Sequence, residues 1–237
     1  MGNILEQGGV PKSRLRVILN AVEPKAFQLE KDGREFRRNC GASSEHLLVG
    51  VIARLSPEKG VEVFLHAMKR IVKDVPCVKA VLVGEGQEAD RLKAMVKIGG
   101  LTSHVHLAGY QTDISSIYSA SDLVVIPSHS EGLPNVLLEA FLHHRPVVAT
   151  AVGGIPEVMQ GDLSAWLVPP ADPAKLADTM IKALKSPQLR ARFGELGAQV
   201  VSEKFMPARR AEQFLMVYKE LIKSEGLPDR PIMTDAA

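Results

Sequence analysis

Two glutamates, an asparagine and a glycine stand close together in Glu131-Gly132-Leu133-Pro134-Asn135-Val136-Leu137-Leu138-Glu139. Pro134 has no N–H and a fixed φ, so it suits the first position of a helix, and the apolar run after it predicts that helix. The first turn of a helix leaves backbone N–H groups without intrahelical acceptors, and the peptide dipoles add partial positive charge there. The amides near Gly132, Leu133, Asn135 and Val136 are therefore expected to form an anion site suited to phosphate, with Gly132 letting the backbone come close. Asn135 and Glu139 are four residues apart and share a helix face, while Glu131 lies in the loop just before it. Carboxylates repel phosphate, so both glutamates are expected to accept hydrogen bonds from hydroxyls on either side of it, as on a ribose and a sugar. Taken alone, the stretch reads equally well as an exposed loop glutamate and a solvated helix glutamate.

Ahead of that helix, residues 123–126 form a short apolar run whose length suits a buried parallel strand. The order strand, loop, helix recurs along the chain. Residues 15–19, 47–53, 81–84, 105–108, 147–150 and 166–168 read as further strands, and 27–39, 61–72 and 88–98 as helices. Asp113 is expected to cap a short helix through Tyr118, and Pro156 to open another. Recurring βαβ units predict an α/β fold, a doubly wound, Rossmann-like parallel sheet of about six strands with helices on both faces. In such sheets the loops at the carboxyl ends of the strands form the ligand crevice. Arg54, Lys59, Gly84, Gly86, Tyr110, Glu131 and Gly153 all fall in those loops and are expected to converge. After Asp172 only helical patterns follow, and the last carries Phe214, Leu215, Tyr218 and Leu221 at three and four spacing on one apolar face.

The 237 residues can bury a sizeable core, and the 46% hydrophobic and 24% charged shares are those of an ordinary globular protein. Lys and Arg number 29 against 27 Asp and Glu, a net charge of +2 that gives no sign of a nucleic-acid partner. Basic residues cluster at 34–38 and 182–210, where a solvated helix face is expected, with peripheral contact to an anionic membrane as the alternative. Cys40 and Cys77 offer neither a disulfide framework nor zinc spacing, in keeping with a cytoplasmic location. No apolar run approaches the roughly 20 residues needed to cross a bilayer. The polar stretch 226–237, with Pro228 and Pro231, reads as a disordered tail.

In this order the motifs resemble the C-terminal, donor-binding half of a GT-B glycosyltransferase of the retaining family 4. The resemblance rests on Ala53-Arg54-Leu55 followed by Glu58-Lys59-Gly60, on Val83-Gly84-Glu85-Gly86, and on Leu107-Ala108-Gly109-Tyr110. It also rests on the two glutamates eight residues apart, on residues 146–157, and on the helix between Phe205 and Tyr218. It implies a nucleotide-diphosphate sugar as donor and transfer with retention. Arg54 and Lys59 would neutralise the diphosphate as it leaves and, with Glu131, would be the catalytic residues. The amides at Gly132 and Leu133, with Asn135 and Val136, would add to that grip, and Gly84 would line the site. Glu139 would take the ribose hydroxyls, Glu131 those of the transferred sugar, and Tyr110 and Gln111 would hold the base largely through backbone groups. The family's chemistry on this fold uses no metal, and no Asp-x-Asp motif is present, so neither metal nor cofactor is expected.

Three departures stand out. Asn20-Ala21-Val22-Glu23 replaces a common Asn-Gly-Val-Asp, and His143-His144-Arg145 replaces a small-Gly-Thr turn. Adjacent histidines on a helix do not share a face, so no metal pair is expected, and Arg145 is expected to cap the helix end. The third is the absence of the facing acceptor domain. Residues 1–19 would be a remnant of the inter-domain region and first strand, 20–205 the donor domain, and 206–225 a crossover helix whose apolar side is left uncovered. Activity would then need an N-terminal half in cis or trans. A non-catalytic nucleotide-sugar-binding module and a nucleotide-sugar epimerase remain as alternatives.

Overall fold

A computed structural model describes residues 8–224, so the expectations for residues 1–7 and for the tail 226–237 lie outside the described residues. Six strands form one parallel sheet: β1 (Leu47–Ile52), β2 (Val78–Val83), β3 (Val105–Gly109), β4 (Leu123–Ile126), β5 (Val147–Thr150) and β6 (Leu167–Val168). Their order is β3-β2-β1-β4-β5-β6. The chain runs outward from β1 to one edge, then returns to the centre and runs out to the other. β1 pairs with β2 along its whole length, from Leu47 opposite Val78 to Ile52 opposite Val83, and with β4 at Val49 and Gly50. The crossover point of a doubly wound sheet therefore lies between β1 and β4.

Side chains alternate across a strand, and the alternation divides the interior in two. Leu48, Val81 and Val83 point to a small core with Ile117 and Ala120, whereas Val49, Val51, Ala80 and Leu82 point to a large one. Helix α1 (Arg34–Asn39) packs against α4 (Ile114–Ala120), which contributes Ile117 and Ala120 to the small core. Helix α2 (Val61–Asp74) enters the large core through Phe64, Ala67, Met68 and Ile71, and α3 (Ala89–Ile98) through Leu92 and Val96. The remaining helices are α5 (Asn135–Leu142), the single turn α6 (Ile155–Val158), α7 (Pro173–Lys185), α8 (Pro187–Lys204) and α9 (Pro207–Ser224). Helix starts carry the expected side-chain acceptors: Asp113 accepts from the Ser116 amide at 3.2 Å and Asp172 from Lys175 at 2.8 Å.

Three expectations need correction. Residues 15–19 form no strand, and Val17 is 62% exposed. A strand requires a neighbour for its backbone groups, and among the described residues none lies alongside. The helix expected over 27–39 shrinks to Arg34–Asn39, because Gln28 donates its amide to Ser115 Oγ while Asp32 accepts from the Arg34 amide, fixing turns instead. The basic cluster at 34–38 is not a fully solvated face either. Arg37 turns inward, pairs with Asp122 at 2.9 Å and donates to the carbonyls of Ala120 and His46.

The last helix is anchored to the start of the described chain by Arg16 on Glu220 at 3.0 Å and Arg210 on Asn20 at 3.1 Å. Phe214, Leu215 and Tyr218 on it are exposed. Deeper in, α8 approaches α5 closely because Gly194 and Gly197 face it. A methyl at Gly194 would stand 2.2 Å from the His144 carbonyl oxygen, and one at Gly197 at 2.1 Å from the Phe141 ring. Gly194→Ala should therefore lower stability by about 1–3 kcal/mol despite alanine's better helix propensity, because backbone must give way. A urea titration checks this, and an unchanged midpoint would refute the packing described.

Candidate functional site

The carboxyl ends of β1 and β4 carry the two loops that face each other. After β1, Ser56 leads into a tight turn, Pro57–Lys59, that ends at Gly60 with φ of 60°. Lys59 leaves that turn toward the neighbouring loop. Its Nζ donates to both oxygens of Glu131, at 2.8 and 2.9 Å. Ser128 donates its hydroxyl to Glu131 Oε1 at 2.7 Å. The glutamate side chain is 8% exposed and the lysine 21%. Two charges this far out of water are tolerable only as a pair with their remaining lone pairs satisfied, which the second lysine bond and the serine hydroxyl achieve.

The loop that carries Glu131 is held at several points. Thr150 Oγ1 donates to the Ser128 carbonyl at 2.6 Å, the His129 amide to the Glu58 carbonyl at 2.8 Å, and the Gly154 amide to the Gly132 carbonyl at 2.6 Å. Gly153 adopts φ of 57°, and a methyl there would lie 2.1 Å from the Glu131 carbonyl oxygen. Only glycine allows that approach. On the other side, Gly84 brings β2's loop against the Ala53 carbonyl, 2.0 Å from where a Cβ would be. Arg54 extends into solvent, 72% exposed, and reaches Glu58 at 3.4 Å. Glu58 lies below the usual carboxylate range, chiefly through the Ser56 hydroxyl that donates to it at 2.6 Å.

Between these loops and the mouth of α5 lies a cleft of about 340 Å³ lined by Arg54, Lys59, Ser128, Glu131, Asn135 and Val136 among others. Pro134 is not the first helical residue as expected. Its ψ of 128° is extended, so it forms the cap, its carbonyl accepts from the Leu137 amide, and the helix opens at Asn135. Gly132, Leu133 and Glu139 are not among the residues that line the cleft, and Gly132 is exposed. Glu139 lies one turn into the helix and partly buried, not solvated. Tyr118 donates its hydroxyl to Glu139 Oε2 at 2.7 Å. Burial pushes the Glu139 carboxyl up from its ordinary value while the tyrosine bond draws it down.

Tyr110 and Gln111 follow β3, beyond β2 from the cleft, and do not line it. Tyr110 is 69% exposed, and Gln111 turns its amide onto the Ala108 carbonyl at 2.7 Å. The side chain of Arg145 does not cap α5. Its backbone N–H donates to the Ala140 carbonyl at 2.8 Å, while the guanidinium is half-buried with Nε unpartnered, and burial lowers its pKa against the charge of Asp122. Among the described residues no three His, Cys, Asp or Glu side chains stand together as a metal group.

Three site residues lie outside those expected from the sequence. Asn20 donates its amide to Asn135 Oδ1 and accepts from Arg210, tying the helix mouth to α9. Ser128 and Tyr118 each hold one of the two glutamates. Ser128 could have been noticed as a hydroxyl three residues before Glu131. Tyr118 gave no local signal, because it is packed by a different helix.

A doubly wound parallel sheet with a cleft at its crossover point is a Rossmann-like fold. The profile described as glycosyl transferases group 1 matches residues 32–200, and the chain belongs to that family. It is 27% identical over 215 residues to the N-acetyl-alpha-D-glucosaminyl L-malate synthase of Bacillus anthracis, covering 91% of this chain and 56% of that protein. The crystal structure of Anabaena HepE in complex with UDP superposes with a TM-score of 0.83 at 26% identity, covering 92% of this chain and 61% of that one. The C-terminal domain of the group 1 glycosyl transferase LpcC from Francisella tularensis matches over 78% of this chain and 99% of its own, with a TM-score of 0.69 and 27% identity. The chain spans about half the length of the curated relatives it matches. It corresponds to the C-terminal half of a GT-B fold.

A raised folded-state carboxyl pKa means that the folded protein holds its proton more tightly than the unfolded chain does. Stability is therefore lost as pH rises through the ordinary carboxylate range and past the raised value. Glu139→Gln removes the ionisation and keeps an acceptor for Tyr118. Its urea midpoint at pH 7, without ligand, should exceed that of the parent, and the gap should narrow as the pH falls. A Gln variant that is less stable at pH 7 would contradict the burial described.

Proposed function

We propose that this chain is the donor-binding half of a glycosyltransferase that moves a sugar from a nucleotide-diphosphate sugar to an acceptor with retention of configuration. The observation that carries the reading is the cleft itself. A lysine, a nearly buried glutamate and the first residues of a helix line one space at the crossover of the sheet, with Arg54 at its edge. Arg54, Lys59 and the first amides of α5 suit the diphosphate and the negative charge it gains as the sugar departs. Glu131 suits sugar hydroxyls, and Glu139 the hydroxyls of a ribose. The backbone after β3, at Tyr110 and Gln111, would border the base. The UDP held by HepE supports a uridine donor. Gly84 would border the donor site through the close approach of its backbone to Ala53.

In this assignment Lys59 changes partner. It leaves or shares Glu131 when phosphate oxygens arrive, and the glutamate turns to the sugar. No metal is required for that exchange, because the charge is met by two side chains and a helix dipole. The acceptor would be supplied by an N-terminal half, in cis or as a separate polypeptide, seated against the exposed Phe214, Leu215 and Tyr218 of α9.

Calorimetry of the chain with UDP, GDP and ADP, and with their sugar derivatives, tests the reading. One nucleotide should bind, and Lys59→Ala and Glu139→Ala should each weaken it by about 1–3 kcal/mol. Binding without turnover by the isolated chain fits a donor half, turnover of the donor to an epimer fits the alternative enzyme, and no binding defeats both. Equal affinity in either variant and the parent would remove that residue from the site.

A further inference from the structure

A glutamate on a helix face has several rotamers, and α5 alone does not aim Glu139. Tyr118 does. It is fully buried on α4, and its hydroxyl donates to Glu139 Oε2 at 2.7 Å. Its ring is in turn fixed by His143, whose ring lies at 4.9 Å and is tilted by 32°, with Phe27 edge-on to the histidine at 5.4 Å. His143 Nδ1 stands 2.8 Å from the Glu139 carbonyl oxygen. A carbonyl can only accept, so the ring proton is on Nδ1. The imidazole therefore clamps the main chain of Glu139 while supporting the tyrosine that holds its side chain.

The second carboxylate oxygen is different. Among the described residues no group hydrogen-bonds Glu139 Oε1, and the buried side-chain atoms without partners are His143 Nε2 and Arg145 Nε. Oε1 therefore reaches solvent. One oxygen is tied inward and the other is offered outward, one turn from the helix mouth.

We propose that Tyr118 is a positioning residue of the donor site, fixing one oxygen of Glu139 so that the other meets the vicinal hydroxyls of a nucleotide ribose. This rests on the reading of Glu139 as the ribose contact. The phenol also opposes the effect of burial and so favours the ionised carboxylate, the form that accepts from two hydroxyls. Other polar groups near this helix are engaged elsewhere. Burial lowers the pKa of His143, Asn135 bonds Asn20, Arg210 of α9 reaches Asn20 and the Phe214 ring, and Glu195 of α8 holds His144 beyond the helix end.

The test is calorimetry with UDP and with 2′,3′-dideoxy-UDP on the full chain. Tyr118→Phe should weaken UDP roughly three- to tenfold, the scale of one ordinary hydrogen bond, and leave the dideoxy analogue unchanged. Binding of the analogue doubles as the check that the variant is folded. The acid limb of UDP binding should also move to higher pH in Tyr118→Phe, since the carboxylate then protonates earlier. The double variant with Glu139→Ala, which leaves Tyr118 no acceptor, should bind UDP no more weakly than Glu139→Ala alone. Equal loss for both ligands, or none for UDP, overturns the role of Tyr118. If Glu139→Gln separates the two ligands and Tyr118→Phe does not, only this inference falls. If the parent binds neither, or does not tell them apart, the ribose reading of Glu139 falls and Tyr118 falls with it.

Discussion

A lysine and a glutamate at the ends of two adjoining buried strands must neutralise each other, and the site is built around that requirement. Removing either charge alone would leave the other poorly solvated, which is costlier than never having placed the pair there. The sheet order makes the pairing geometrically natural. β1 and β4 are neighbours although some seventy residues separate their loops, so Lys59 and Glu131 arrive on one side from two distant parts of the chain. The surrounding contacts serve the same end. Ser128 fills a remaining lone pair, Thr150 fixes the carbonyl of that serine, and Gly153 lets the next loop press against Glu131's backbone.

Glu139 is the counter-example within the same helix mouth. Its surroundings disfavour the charge, and it is held by one phenol instead of a cation. A folded protein tolerates such a group where ligand binding uses it, because binding sites keep features that stability alone would remove. The two glutamates, eight residues apart, thus occupy opposite electrostatic situations. Glu131 is satisfied by Lys59 and Ser128; among the described residues Glu139 has a protein partner on one oxygen alone.

Much of the sheet was legible because buried parallel strands are continuous apolar runs, and residues 123–126, 147–150 and most of 47–53 have no other plausible use. Residues 15–19 look the same in sequence but form no strand, since pattern cannot reveal whether a partner strand is present. Arg37 belonged by composition to a basic face, yet one ion pair and several carbonyls draw it inward. Lys59 and Glu131 were recognisable from their loops; that they bind each other was not. Ser128 stands three residues from its partner, but the other two unread site residues have partners that are remote or depend on tertiary packing. Asn20 meets Asn135 across 115 positions and Tyr118 meets Glu139 across 21 and a change of helix. Local spacing carries no trace of such contacts.

The bidentate grip of Lys59 on Glu131 has an effect on selectivity. A cleft whose cation is already cancelled by a carboxylate projects little field, so small inorganic anions find no bare ammonium to settle on. Under the proposed reading, the ion pair opens profitably only for a molecule that offers phosphate oxygens to the lysine and hydroxyls to the glutamate at once. Pyrophosphate brings the first without the second and a free sugar the reverse. The pair would then act as a two-key lock, screening abundant cellular anions by requiring both chemistries in a single ligand.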